Sequence, residues 1–329
     1  MQLDGSTIQA LDTVGALQLI NLIAELKRLG HDVHLRGLRE RHQALLDLVH
    51  SRFIADDSVA TPVKRTGILE RLGRQTVHAL RRGFAFLAFV GEAATALGRL
   101  ILQPRRFRWR ALCANIEIAG VRALPIIALL SFMIGIVIAY QGGHQLKFYG
   151  ANIFIVELVS LTMLRELAPL LTAIIIAGRT GSSYTAQIGT MQVTEEVDAL
   201  RTIGISPMDL LVLPKLLALT VALPLLTVFA DALSVLGGMV IAQVMLDVNF
   251  QDFLDRFPQV VTLTSFLIGV GKAPVFAAII ALVGCHQGFQ VRGGADSVGR
   301  QTTVSVVQSI FLVIAADALF SVLLGGVGL

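Results

Sequence analysis

The sequence predicts a mainly α, polytopic membrane protein with five transmembrane helices, an N-terminal interfacial helix and a small partial α/β segment ahead of them. Three observations carry this. Of its 329 residues, 54% are hydrophobic and 15% charged, against about 25% charged in soluble chains, and the mean hydropathy is +0.73. Five apolar runs, at 121–140, 153–178, 219–246, 262–284 and 303–329, have about the 20 residues that a bilayer core of roughly 30 Å requires. Residues 1–57 follow a different pattern, with amphipathic and alternating stretches in place of continuous apolar ones.

Within 1–57 the spacing predicts a helix over 13–29, capped by Asp12 or Thr13 and stopped at Gly30. The alternating run HDVHLRGL then reads as a strand and RERHQALLDLVH as a second helix. A piece of this size is marginal alone, because below about 60 residues too little surface is buried. MQLDGSTIQALD lacks the basic start and apolar stretch of a secretory signal, so the N-terminus is expected in the cytosol. His31 and His34 lack further ligands, and Cys113 and Cys285 are far apart in sequence. Neither a metal site nor a disulfide is expected, and no cofactor is called for.

Residues 58–110 form a basic linker. Between Lys64 and Arg110 stand 11 Lys and Arg against only Glu70 and Glu92. The charges flank FAFLAFVGEAATALGRLIL, the pattern of a helix lying in the headgroup layer. An apolar segment splitting the charges, with a span directly after it, argues against nucleic acid as the partner. Domain boundaries are therefore drawn at 1–57, 58–110 and 111–329.

With a cytosolic start, five spans place 179–207 and 285–301 in the cytosol and the C-terminus on the periplasmic side. Arg179, Arg201, Arg292, Arg300 and Lys215 then fall inside, against Lys147 and Arg256 outside, as the positive-inside rule requires. Pro214 and Pro224 leave 208–246 readable as one tilted helix or a broken pair.

Four of these spans carry ionisable residues: Arg165 and Glu166 in the second, Asp231 in the third, Lys272 in the fourth and Asp317 in the fifth. Each charge at the bilayer centre costs about 2.5–3.5 kcal/mol on insertion scales. Interhelical ion pairing that serves assembly accounts for them, and so does a polar cavity admitting a substrate headgroup. Pro169 bends the helix near Glu166, in favour of the cavity. On a regular helix Arg165 and Glu166 point about 100° apart, so one is expected to line the cavity and the other to meet a neighbour. Glu157 reads as an interfacial or packing residue.

Between the second and third spans, 191–206 carries Glu195, Glu196, Asp198 and Arg201, with Val193, Val197, Leu200 and Ile203 on one narrow apolar face. Such a helix suits docking to a partner. No GxxxxGK[ST] phosphate cradle, nucleophile elbow or HExxH occurs, so the chain is not expected to be an enzyme and its energy must come from elsewhere.

The strings LRELAPLLTAIIIAGRTGSSYTAQIGTMQVTEEVDALRTIGISP and KAPVFAAIIALVGCHQGFQVRGGADSVGRQTTVSVVQSIFLVIAADALF, in this order, resemble the MlaE family of ABC-transporter permeases over about 84–329. The resemblance implies a homodimer of five-span subunits in a bacterial inner membrane. It also implies a partner ABC ATPase, a periplasmic lipid-binding protein of the MCE type, and phospholipid cargo moved between inner and outer membranes. By motif position, Glu195, Glu196, Asp198, Leu200 and Arg201 belong to a coupling helix that enters the ATPase, and Arg165 and Glu166 lie near the lipid pocket. The sequence departs from the family at Gln187, where Glu is usual. The N-terminal segment is similar to the second half of a STAS domain, with Thr13 at the place of a phosphorylatable Ser or Thr and no counterpart of the opening strands before Met1. That similarity adds a possible STAS protein as a partner. Two rival readings remain: a proton-coupled secondary transporter relaying through Glu166, Asp231 and Asp317, and a membrane scaffold for a STAS-like regulator.

Overall fold

The computed structural model describes the chain except residues 1, 7, 9, 54–67, 104–108 and 327–329. Lys64, Arg65, Arg105, Arg106 and Arg108 of the basic linker lie outside the described residues. The chain divides into two units, Met1–Ala79 and Leu80–Leu329.

In the first unit, strand β1 (Gln2–Asp4) pairs in parallel with β2 (His34–Arg36), Leu3 opposite Leu35. Helices α1 (Thr13–Arg28) and α2 (Glu40–Phe53) pack on each other. Asp12 caps α1 by accepting a hydrogen bond from the Gly15 amide at 2.7 Å, and Gly30 takes φ +87° just past its end, a conformation that spares glycine the Cβ clash. Strand β1 was not expected, since three residues are too few to show a period.

Helix α3 (Ile68–Leu102) bridges the boundary between the units. Its 72–100 portion also has the length and composition to cross a membrane, which makes six such helices among the described residues. The second unit continues with α4 (Trp109–Ala119), α5 (Leu124–Phe148), α6 (Ile155–Thr162), α7 (Ala168–Ile176), α8 (Ser182–Val193) and α9 (Glu196–Thr202). It ends with α10 (Leu213–Leu246), α11 (Phe250–Val260), α12 (Leu263–Phe289) and α13 (Ala295–Gly326). The protein is thus a mainly α, polytopic membrane protein.

Two π-turns, Met163–Leu167 and Ala177–Gly181, join α6, α7 and α8 into one rod over Asn152–Val193, 42 residues long. The loop expected to open at Arg179 therefore opens only after Val193. The rod continues because Thr180, Gly181, Tyr184, Thr185 and Ile188 are buried on α12 and α13. The question at Pro214 and Pro224 resolves as a single helix: a π-turn at Met208–Val212 runs into α10, with Pro214 in its first turn and Pro224 inside it.

Helices gain no hydrophobic drive from packing together in lipid, so close contact depends on small residues. A Cβ on Gly135 of α5 would strike the backbone of Ser234 in α10, and one on Gly269 of α12 would strike the Leu164 carbonyl oxygen. The second approach sets α12 against the first π-turn, where the charged residues sit.

Candidate functional site

At that π-turn, Lys272 of α12 is 1% exposed. Its ammonium donates to Glu166 Oε2 at 2.7 Å and to Asp317 Oδ1 of α13 at 3.0 Å. The Ser321 hydroxyl, one turn beyond Asp317, lies 3.1 Å from the same Glu166 oxygen, and Arg165 Nε stands 3.7 Å from Glu166 Oε1. Two acids and two bases from three spanning elements thus form one formally neutral network. Its inner half is buried, whereas the side chains of Arg165 and Glu166 are 29% and 35% exposed.

Glu166 meets the neighbouring helix through Lys272, and the Arg165 and Glu166 side chains also meet each other. The 100° argument assumed a regular α-helix, and this segment is a π-turn that ends at Leu167, two residues before Pro169. Glu166 meets Lys272 and Ser321 while reaching the exposed edge that Arg165 shares.

Asp231, expected among the same groups, is elsewhere. It is 4% exposed in α10, and neither carboxyl oxygen has a hydrogen-bond partner among the described residues. Lys272 neutralises Glu166 and Asp317, not Asp231.

Toward the α9 end lies a polar contact that the sequence reading missed. Lys215, counted there as an inner-loop charge, is 5% exposed. It donates to Gln187 Oε1 at 2.7 Å and lies 5.0 Å above the Tyr184 ring. The cue was present: Lys215 falls inside an apolar stretch starting at Met208.

At the opposite end, Glu157 of α6 pairs with Arg256 of α11, whose guanidinium also lies 5.3 Å from the Phe154 ring. The Glu157 carboxylate holds the Arg256 pKa above its ordinary value by hydrogen bonding. Glu157 is thus a packing residue with a specific partner.

Helix α9 is seven residues long. Glu195 precedes it with φ 60°, an uncommon conformation for a residue with a Cβ, and the Thr194 hydroxyl bonds the Glu196 carboxylate at 3.0 Å. Arg201 reaches Asp198 at 3.1 Å. The expected single apolar face is divided: Val197 is fully buried and Leu200 half-buried, while Val193 and Ile203 are exposed. Val197 anchors α9, and an apolar edge beside exposed charges remains open. Thr13 is exposed at the first position of α1. No group of three His, Cys, Asp or Glu is placed to hold a metal among the described residues.

Comparison with known proteins matches residues 112–323 to the family described as "Permease MlaE". The chain is similar to the "Probable ABC transporter permease protein" of Rickettsia bellii, 32% identical over 77% of this chain and 96% of that one. It is 36% identical to "Probable ABC transporter permease protein slr1045" of Synechocystis sp. over 67% of this chain and 84% of the relative. With "Protein TRIGALACTOSYLDIACYLGLYCEROL 1, chloroplastic" of Arabidopsis thaliana it shares 31% identity over 68% of this chain and 65% of that protein.

Proposed function

The chain belongs to the MlaE permease family and is an ABC-transporter permease, and from that premise we propose that it moves phospholipid between inner and outer membranes, driven by ATP hydrolysis in a partner subunit. The observation that carries this reading is the network around Lys272. A pairing made only for assembly would be sealed on all sides, whereas this one opens an edge bearing Arg165, Glu166 and Ser321. Such an edge offers a cation, a carboxylate and a hydroxyl to a lipid headgroup while the apolar helices accept its tails. The Arabidopsis relative, named for a galactolipid, supports lipid as the cargo class.

In this mechanism α9 docks into the ATPase through Glu195, Glu196, Asp198, Leu200 and Arg201, with the exposed Ile203 at its end. A second copy of the chain completes the cavity, an MCE-type periplasmic protein receives the lipid, and the first unit serves as a STAS-like regulatory module carrying Thr13, open to a STAS-protein partner. The N-terminus is cytosolic and the C-terminus periplasmic. Family membership removes the scaffold and the secondary transporter as rivals. Asp231 makes no direct hydrogen bond to the Lys272 network, so no protein contact links the three acids of the relay.

The test is a lipid extract of the purified complex, analysed by mass spectrometry, beside ATP-driven lipid transfer in proteoliposomes. Wild type is expected to retain phospholipid and Glu166→Gln to retain less. Reversing Glu196 and Asp198 to Lys should uncouple the ATPase. Unchanged retention and transfer in Glu166→Gln refute the assignment of the network, and normal coupling in the charge-reversed variant refutes the role of α9.

A further inference from the structure

The rod that carries Arg165 and Glu166 carries a second arginine, Arg179, in its second π-turn. Arg179 is exposed, and no described carboxylate pairs with it. By contrast, Lys272 holds two carboxylates, Arg165 meets Glu166, and Lys215 is buried on Gln187 and Tyr184. We propose that Arg179 is a second phosphate-binding station, which takes the headgroup phosphate of the cargo phospholipid at the α9 end of the rod; this rests on the lipid-permease reading above.

Depth is the first argument. Arg179 follows Arg165 by 14 positions, about 20 Å along a helix axis, most of the roughly 30 Å of a hydrocarbon core. The two arginines therefore stand at clearly different depths along the rod. A guanidinium at headgroup depth, with its planar fork of donors unclaimed by a carboxylate, matches phosphate oxygens.

The face on which Arg179 stands is the second. From 162 to 192 the rod exposes no large apolar side chain, although α10 exposes Val221, Leu225 and Val244, and α13 exposes Val307 and Phe311. A face bathed in acyl chains would resemble those of α10 and α13. The exposed neighbours of Arg179 are instead Gly178 and Ser183. A Cβ on Gly178 would meet nothing within 4 Å, so the space beside the guanidinium is open. A π-turn at this place fits a working position, because such widened turns recur at functional sites.

The test uses the full chain with its ATPase partner in nanodiscs containing a phospholipid with a radiolabelled phosphate. A photo-crosslinking amino acid is placed at Ser183, beside the station, or at Leu225, 65% exposed on α10. Arg179→Gln is expected to lower labelling at 183 about tenfold, the loss of one charge-assisted hydrogen bond, with labelling at 225 unchanged. Arg179→Lys should restore part of it. Gly178→Leu, whose Cβ meets nothing within 4 Å, should lower it by filling the headgroup space, and excess inorganic phosphate should not compete. Labelling at 183 within twofold of wild type in both Arg179→Gln and Gly178→Leu overturns the proposal. So does an equal fall at 183 and 225, which marks bulk lipid, or displacement by inorganic phosphate, which marks a free anion. If the wild type carries no phospholipid in the mass-spectrometric extract, the lipid reading itself fails; if it carries lipid that Arg179→Gln leaves untouched, only the station fails.

Discussion

Replacing Lys272 by Met removes the cation that two carboxylates share. At an effective dielectric of about 20, its attractions to Glu166 at 2.7 Å and Asp317 at 3.0 Å are gross energies of about 6 and 5.5 kcal/mol. Desolvation of the ammonium offsets most of that. What remains after truncation is two acids facing each other without their cation, a situation that costs about 3–5 kcal/mol when a buried pair is broken. The Glu166 side chain is 35% exposed and can turn toward water, which puts the expected loss near 3 kcal/mol. For a unit of this size that lowers the unfolding temperature by about 6–12 °C, measured by fluorescence-detected thermal unfolding in detergent. Adding Glu166→Gln and Asp317→Asn to Lys272→Met should recover most of the loss, because a neutral replacement of a buried ion network is often nearly free of penalty. Arg122→Ala is the control: its pair with Glu117 spans 3.5 Å with both side chains 62% exposed, and such pairs contribute at most about 1 kcal/mol. A shift for Lys272→Met no larger than that of Arg122→Ala refutes the reasoning, as does a triple variant less stable than the single one.

Two further outcomes follow from the packing. Asp231→Asn keeps the side chain's shape and removes its ability to ionise at a position where neither oxygen has a partner among the described residues, so thermal unfolding should be unchanged or later, and a fall beyond that of Arg122→Ala would show that the carboxyl group is needed there. Gly269→Ala forces α12 off the Leu164 carbonyl, an overpacking loss of about 1–3 kcal/mol, and should lower lipid retention as Glu166→Gln does; Gly271→Ala, with nothing near its Cβ, should do neither, and equal effects of the two would contradict the contact.

What could be read in the sequence followed its physical period. The Asp12 cap, the Gly30 stop and the three elements around them rest on local rules, and they stand where expected. The apolar runs located the spans but not their ends, because hydropathy reports contact with lipid tails while a helix continues wherever its backbone is bonded and one face is packed. The rod accordingly runs 15 residues past Gly178 to Val193. The members of the ion network stood in the sequence within a list of charges that also held Asp231, which lies outside it. Its pairing was not, since which acid meets Lys272 depends on the close approach at Gly269 and on a π-turn. Lys215 was misread for a related reason: a basic residue near an inferred loop resembles a topology signal whether it faces water or Tyr184.

The two π-turns also bear on how motion at α9 would reach the Lys272 network. Between Glu157 and Glu166 the rod is tied to the α11–α12 segment twice, by Arg256 and by Lys272, and the Leu164 backbone closes on Gly269 between them. Its other half is held where Gly181 meets Gly284 and Ile188 meets Gly288, and α9 follows it after two residues. Helices bend where the regular ladder is interrupted, so Ala177–Gly181 and Met163–Leu167 are the places in the rod where a displacement imposed at α9 would be taken up. Those turns hold Arg179 and the Arg165–Glu166 pair. Under the proposed coupling, the residues that change their surroundings most are therefore the ones assigned to headgroups, and a substitution that stiffens either turn should slow lipid transfer more than it alters ATPase assembly.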